Sequence, residues 1–245
     1  TAINLVTYAP TAITKNITID PGNTGLATIT GAMVDDGSTD NCGNVTLSVY
    51  PNQFDCNGAL QDISGSIITS PTVSYPAGRT LTFSGVNINN SGSPYLKVSP
   101  GSSVNVSFNW SSSYGSTYCP GCIQQYYVGV NGVAIKCIHS GGTNYSINSS
   151  NSLSFTAPTT PGIYYINSAS TLQMSCVLGA GSMSTGHQNA MGYIIVEPTN
   201  GTSSLTMLTV MDSYGNSTER PALVTVIDQS PPVILTNNIT IPLDD

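Results

Sequence analysis

Acid–base catalysis by paired carboxylates needs two acids held near each other. The 245-residue chain places none of its twelve acids between residues 63 and 196, where Arg79, Lys97 and Lys136 give a formal charge of +3. The remaining residues carry all twelve acids against Lys15 and Arg220, a charge of −10. Asp35, Asp36 and Asp40 form the one cluster, in a loop rich in Gly and Ser. Hard cations want several oxygen ligands, so these three carboxylates, with Asp228 as a further donor, form a calcium candidate without EF-hand spacing. The alternative is a turn in which Asp side chains bond the local backbone. His139 and His187 are the only histidines. Neither has the neighbouring carboxylate that a Ser-His-Asp hydrolase uses. The chain therefore reads as a non-enzyme, with no cofactor beyond that weak calcium site.

Cysteine chemistry comes next. Cys42, Cys56, Cys119, Cys122, Cys137 and Cys176 make an even set of six, which fits three disulfides and an oxidising compartment. The expected location is extracellular, secreted or at the cell surface. Cys119-x-x-Cys122 is a redox motif only if a helix follows to lower the thiol pKa, and a strand pattern follows instead. A four-thiolate zinc site from Cys119, Cys122, Cys137 and Cys176 is a second reading. Two disulfides are preferred: the Asn131-Gly132 hairpin returns Cys137 towards Cys122, which suggests Cys122–Cys137 and Cys119–Cys176.

Asn-x-Ser/Thr is the most frequent motif. It occurs at Asn16, Asn44, Asn89, Asn105, Asn109, Asn144, Asn148, Asn200, Asn216 and Asn238, ten of the 22 asparagines. Each is an N-glycan acceptor where the attachment machinery exists. Alternate residues of a strand share a face. In VNVSFNW, therefore, Asn105, Ser107 and Asn109 point out while Val106, Phe108 and Trp110 point in. Tyr126, Tyr127, Tyr164 and Tyr165 are candidates for an aromatic sugar platform; filling a sheet core is their alternative role.

The elements that position these residues are strands. Period-2 alternation runs through NITI, NVTLSV and VNVSFNW, and LTMLTV, ALVTVI and GYIIV are further strands, with Gly, Pro, Asn and Asp between the runs. Asn-Gly at 131–132 between apolar segments is the strongest short hairpin signal. Many short strands of this kind predict an all-β fold of immunoglobulin-like β-sandwiches. Charged residues are only 7% and hydrophobic residues 39%, so the surface is solvated by hydroxyls and amides over a real core. No basic patch favours nucleic acid, no apolar run is long enough for a membrane helix, and no basic-then-apolar leader stands at Thr1, so any signal peptide is expected to be gone.

One internal repeat stands out. PTAITKNITI at 10–19 and PVILTNNITI at 232–241 agree at six of ten positions. The segment DDGSTDNCGNVTLSVYPNQFDC at 35–56 resembles the centre of a HYR-type module, an immunoglobulin-like extracellular repeat of surface proteins. LTVMDSYGN at 208–216 and LVTVIDQSPPVI at 223–234 are similar to that family's later strand-turn and its linker into the next copy. The resemblance covers about 100 residues in two pieces. It lacks the family's further cysteines beside Ile13-Thr14 and in 217–220. It leaves Cys42 and Cys56, which it pairs.

The resemblance implies a host sandwich from residues 1–61 plus 199–230, an inserted sandwich at 62–198, and a strand at 231–245 that pairs with the next module or subunit. Asn238, Ile239, Thr240 and Ile241 are the expected assembly strand. The implied function is a structural subunit of an extracellular fibre or repeat array, joined head to tail by β-strand complementation with copies of itself. The alternative is a surface adhesin binding glycans through the insert.

Overall fold

A computed structural model describes residues 8–66, 72–75, 79–113, 123–142, 146–172, 179–180, 183, 190–231, 234 and 236–237. The first stretch gives β1 (Ile17–Ile19), β2 (Leu26–Thr28), β3 (Thr46–Tyr50), β4 (Gln53–Asp55) and β5 (Gly58–Ala59). The middle gives β6 (Thr72–Tyr75), β7 (Arg79–Ile88), β8 (Tyr95–Val98), β9 (Ser103–Ser113), β10 (Ile123–Val130), β11 (Val133–Gly142), β12 (Ile147–Thr156), β13 (Gly162–Leu172), β14 (Gly179–Ala180) and β15 (Ala190–Val196). The last gives β16 (Thr202–Met211) and β17 (Ser217–Val226). The fold is all-β, as the alternation predicts, apart from a one-turn helix at Gly31–Val34 and short 3-10 turns. That helix turn has no signal in the alternation. It is packed so closely that a Cβ on Gly31 would lie 2.7 Å from Leu47 Cβ.

Four sheets result. Strands from the two flanks of the sequence form β1-β17-β16-β3 and β2-β4-β5, here called the terminal sandwich. Strands from the middle form β14-β11-β10-β13-β15-β8 and β12-β9-β7-β6, the central sandwich. Most pairs are antiparallel, but β1 runs parallel to β17 and β8 parallel to β15. The β10–β11 hairpin turns at Asn131 and Gly132, with φ of 51° and 85°. Positive φ at both central residues is the geometry that Asn-Gly supplies.

Side-chain alternation decides how the sheets stack. In β16 and β17, Leu208, Val210, Ala222, Val224 and Val226 face the β2-β4-β5 sheet and pack with Ile29 and Phe54. Leu205, Leu223 and Met207 face the other way, onto Tyr193 and Ile195 of β15. Ile194 and Val196 of β15 point to the opposite side, into a core with Phe83, Phe108 and Trp110 of the β9 sheet. The order of layers is therefore the β4 sheet, the β16 sheet, the β10 sheet and the β9 sheet. Where the two middle layers meet, strands are covered on both faces, and β15 (AMGYIIV) is buried at every position. Uninterrupted apolar sequence is what a strand covered on both sides requires.

Candidate functional site

The outer layer carries the densest set of sequence-predicted acceptors. In β9, Val104, Val106, Phe108 and Trp110 are buried while Ser103, Asn105, Ser107 and Asn109 are exposed, as the alternation requires. Directly opposed residues of an antiparallel pair share a face. Asn105, Ser107, Asn109 and Ser111 stand opposite Ser154, Ser152, Ser150 and Asn148 of β12. On the other flank, Ser84, Thr82 and Thr80 of β7 stand opposite Asn109, Ser111 and Ser113. The outcome is a surface of hydroxyls and amides without a charged side chain among these positions.

The acceptor amides on this face are held by their oxygens. Ser150 Oγ donates to Asn109 Oδ1 at 2.7 Å and Ser154 Oγ donates to Asn105 Oδ1 at 3.2 Å. Neither bond uses the amide nitrogen, the atom to which an N-glycan attaches. Asn16, Asn44, Asn89, Asn148 and Asn200 are exposed as well. Asn16 Oδ1 accepts the Leu223 N–H at 3.0 Å and so fastens the start of β1 to β17. Asn89 Oδ1 accepts the Asn105 N–H at 2.7 Å, and Asn89 Nδ2 reaches Ser103 O at 3.4 Å. Asn216 differs: it is half-buried, and its Nδ2 donates to Asp212 Oδ2 at 2.7 Å. A glycan there would replace that bond. Asn144 and Asn238 lie outside the described residues, as do Ile239, Thr240 and Ile241.

In the aspartate loop two of the three calcium candidates, Asp35 and Asp40, bond the local backbone, as in the alternative turn role. Asp35 accepts the N–H groups of Gly37 at 3.2 Å and Ser38 at 3.0 Å, and Asp40 accepts the Cys42 N–H at 2.9 Å. Partial burial would raise the Asp35 carboxyl, but hydrogen bonds from the Ser38 hydroxyl and the two backbone groups outweigh it and hold the pKa below its ordinary value. Backbone bridges Thr14–Asp35 and Thr11–Thr39 zip this segment to the incoming chain, which spreads the carboxylates along a ladder. Among the described residues no group of three His, Cys, Asp or Glu, with or without Asp36 and Asp228, is placed to hold a metal.

The expected Cys42–Cys56 bridge is also corrected: both thiols are free and exposed. Thr46 pairs with Met211 at one end of β16, and Cys42 precedes Thr46 by four residues. At the other end, a Cβ on Gly58 would touch Ser204 Oγ and Thr202 Cγ2, and Cys56 sits in the turn just before Gly58. The ten residues of β16 span about 30 Å between these ends, far beyond the roughly 7 Å that a disulfide bridges between Cα atoms. Cys137 is disulfide-bonded. The β10–β11 register sets it opposite Tyr127, while Ile123 faces Gly142. Cys119, Cys122 and Cys176, on which the Cys122–Cys137 and Cys119–Cys176 pairings and the zinc reading depend, lie outside the described residues.

Of the four candidate platform tyrosines, two are interior and two are half-buried. Tyr126 and Tyr127 are buried. Tyr164 packs on the central core and Tyr165 on the layer junction, so the two adjacent residues face opposite ways. His139 lies beside Trp110 and Tyr126, and burial lowers its pKa. His187 lies outside the described residues.

Sequence reasoning missed the junction between the middle layers. Tyr193 stacks on Tyr95 at 5.6 Å, meets Tyr165 edge-on at 6.3 Å, and donates its hydroxyl proton to Ser64 O. Burial drives the Tyr193 and Tyr165 hydroxyls well above the ordinary tyrosine pKa. Lys97 Nζ donates to Ser203 O at 2.6 Å and lies 3.4 Å from Glu197 Oε1, a second tie between the sandwiches. The signal was present in AMGYIIV, whose lack of alternation marks a strand covered on both faces.

Compared with known proteins, the chain matches no family model, no curated protein and no solved structure.

Proposed function

We propose that this chain is a structural module of an extracellular fibre or repeat array, of the HYR-like kind that its sequence resembles, with residues 62–198 forming an insert displayed from a host sandwich. The observation that carries the reading is the position of β1. Its motif, 10–19, fills the edge of the β16 sheet in parallel register with β17, Ile17 opposite Val224 and Ile19 opposite Val226. The same motif recurs at 232–241, and the slot it would take is already filled. The second copy of the motif is then left to open a following module of a tandem array or to add as a further strand to the sheet of a neighbouring copy. A head-to-tail contact of this type does not close on itself, so it propagates as an open filament.

The uncharged outer face of the β9 sheet fits the same reading, because it offers glycan acceptors on a layer that no other sheet covers. The test is removal of residues 231–245. A folded monomer without filaments by electron microscopy is expected, and unchanged filaments would reject the assignment. A glycan array probed with the full chain separates this reading from an adhesin, which would bind particular sugars.

A further inference from the structure

β12 is a ten-residue strand at a sheet edge, and among the described residues no other edge strand exceeds five. It pairs with β9 from Ile147–Ser112 to Thr156–Ser103 without a register shift, and its sequence, INSSNSLSFT, has no charged residue, Pro or Gly. Its other edge pairs with no strand among the described residues. Such an edge is a template for a strand of another chain unless a bulge, a Pro or a charge blunts it. The register shows where its backbone groups point. On the β7 side of β9, the Asn89 N–H donates to Asn105 O at 2.7 Å and the Asn105 N–H donates to Asn89 Oδ1 at 2.7 Å. Opposed residues of an antiparallel pair either bond each other or both turn away, so Ser154, opposite Asn105, turns its N–H and C=O to the free edge. The two-residue repeat gives Asn148, Ser150, Ser152 and Thr156 the same direction. Ser152 agrees: its C=O accepts from Lys136 Nζ at 2.6 Å, and its N–H donates to Asn151 Oδ1 at 2.9 Å. Lys136 belongs to β11 in the facing sheet, so its side chain spans the open side of the central sandwich.

We propose that the free edge of β12 is a pairing surface for β12 of a second copy of this chain, and that Lys136 holds it shut. The antiparallel register that uses every outward residue sets Ser152 opposite Ser152, Ser150 opposite Ser154 and Asn148 opposite Thr156. These are hydroxyl and amide pairs without charge, so nothing in β12 itself opposes the pairing. Lys136 does. Its ammonium sits at Ser152, the residue on the two-fold axis, and occupies the C=O that an N–H of the second copy needs. The ammonium of the second copy would close on the same point, and like charges brought together at an interface oppose it. The contact uses strands of the central sandwich alone and does not depend on residues 231–245.

The experiment uses the unglycosylated full chain, because Asn148 is itself a glycan acceptor at this edge. Amide hydrogen exchange in β12 is followed by mass spectrometry over a concentration series. The readout is local, so filaments built through another contact do not obscure it. Lys136→Ala should slow exchange in β12 at a concentration about tenfold below that needed by wild type, with exchange in β15 unchanged as the check on folding. Lys136→Gln should do the same while keeping a longer side chain over the edge. Lys136→Arg, which keeps the charge, should follow wild type. Adding Ser152→Pro to Lys136→Ala removes an N–H that faces away from β9, at a position where an edge strand tolerates Pro, and should restore fast exchange at every concentration. Equal concentration dependence in wild type and both neutral variants would overturn the proposal, as would slowed exchange that survives Ser152→Pro.

Discussion

β9 and β15 belong to the same central sandwich and solve different problems. β9, in an outer layer, alternates strictly, so that four large apolar residues enter the core and Ser103, Asn105, Ser107 and Asn109 reach solvent. β15, in a middle layer, is buried at all seven positions. The difference lies in what covers the second face: water for β9, the β16 sheet for β15. An outer strand can therefore accumulate hydroxyls, amides and glycan acceptors at little cost to stability. A middle strand cannot tolerate even a lost ring.

The comparison can be broken at several points. The largest effect is expected at Tyr193→Ala, which empties the junction between layers; truncation of a buried aromatic costs about 3–5 kcal/mol, read from urea unfolding. Gly192→Ala comes next. A Cβ there would lie 2.5 Å from Pro94 O, so β15 or the residue before β8 must shift, at about 1–3 kcal/mol. An equal substitution in the outer layer, Ser107→Ala, should leave the urea midpoint nearly unchanged.

A smaller effect separates the sandwiches by pH. Residues 63–196 contain no carboxylate, so acid sensitivity of stability should come from the terminal sandwich. Asp212 has its pKa lowered from 3.8, first by the Asn216 side chain and then by backbone N–H groups of Asn216, Tyr214 and Gly215, against an opposing effect of burial. A depressed folded-state pKa adds stability above the unfolded value, and that stability is lost as pH falls through the folded value. Asp212→Asn should therefore lower the urea midpoint at neutral pH and converge with wild type in acid below 3.8. Convergence at neutral pH instead would show that the turn does not depend on this carboxylate.

The smallest effect on stability is expected on the outer face. Ser107→Ala with Ser111→Ala removes the acceptor motifs of Asn105 and Asn109 and should change stability by no more than about 0.5 kcal/mol. In material made by a glycosylating cell, the same pair should lower the mass by two glycans. Thr218→Ala should leave the mass unchanged, because the Asn216 nitrogen is held by Asp212 at 2.7 Å.

Local sequence determined a good deal of this protein. Alternation assigned the inward and outward faces of β1, β3 and β9, and Asn131-Gly132 specified its hairpin, because the faces follow from the two-residue repeat of a strand and the turn from local backbone preference. The tertiary structure decided what non-local pairing controls. It consumed Asp35 and Asp40 in turns, drew Tyr126 and Tyr127 into the interior, laid β15 against the β16 sheet, and parted Cys42 from Cys56 by the length of a ten-residue strand. Cys56 follows Cys42 by fourteen positions in the chain. An extended chain can either turn back or run on, and only the partners of β3, β4 and β5 across the β16 sheet fixed which.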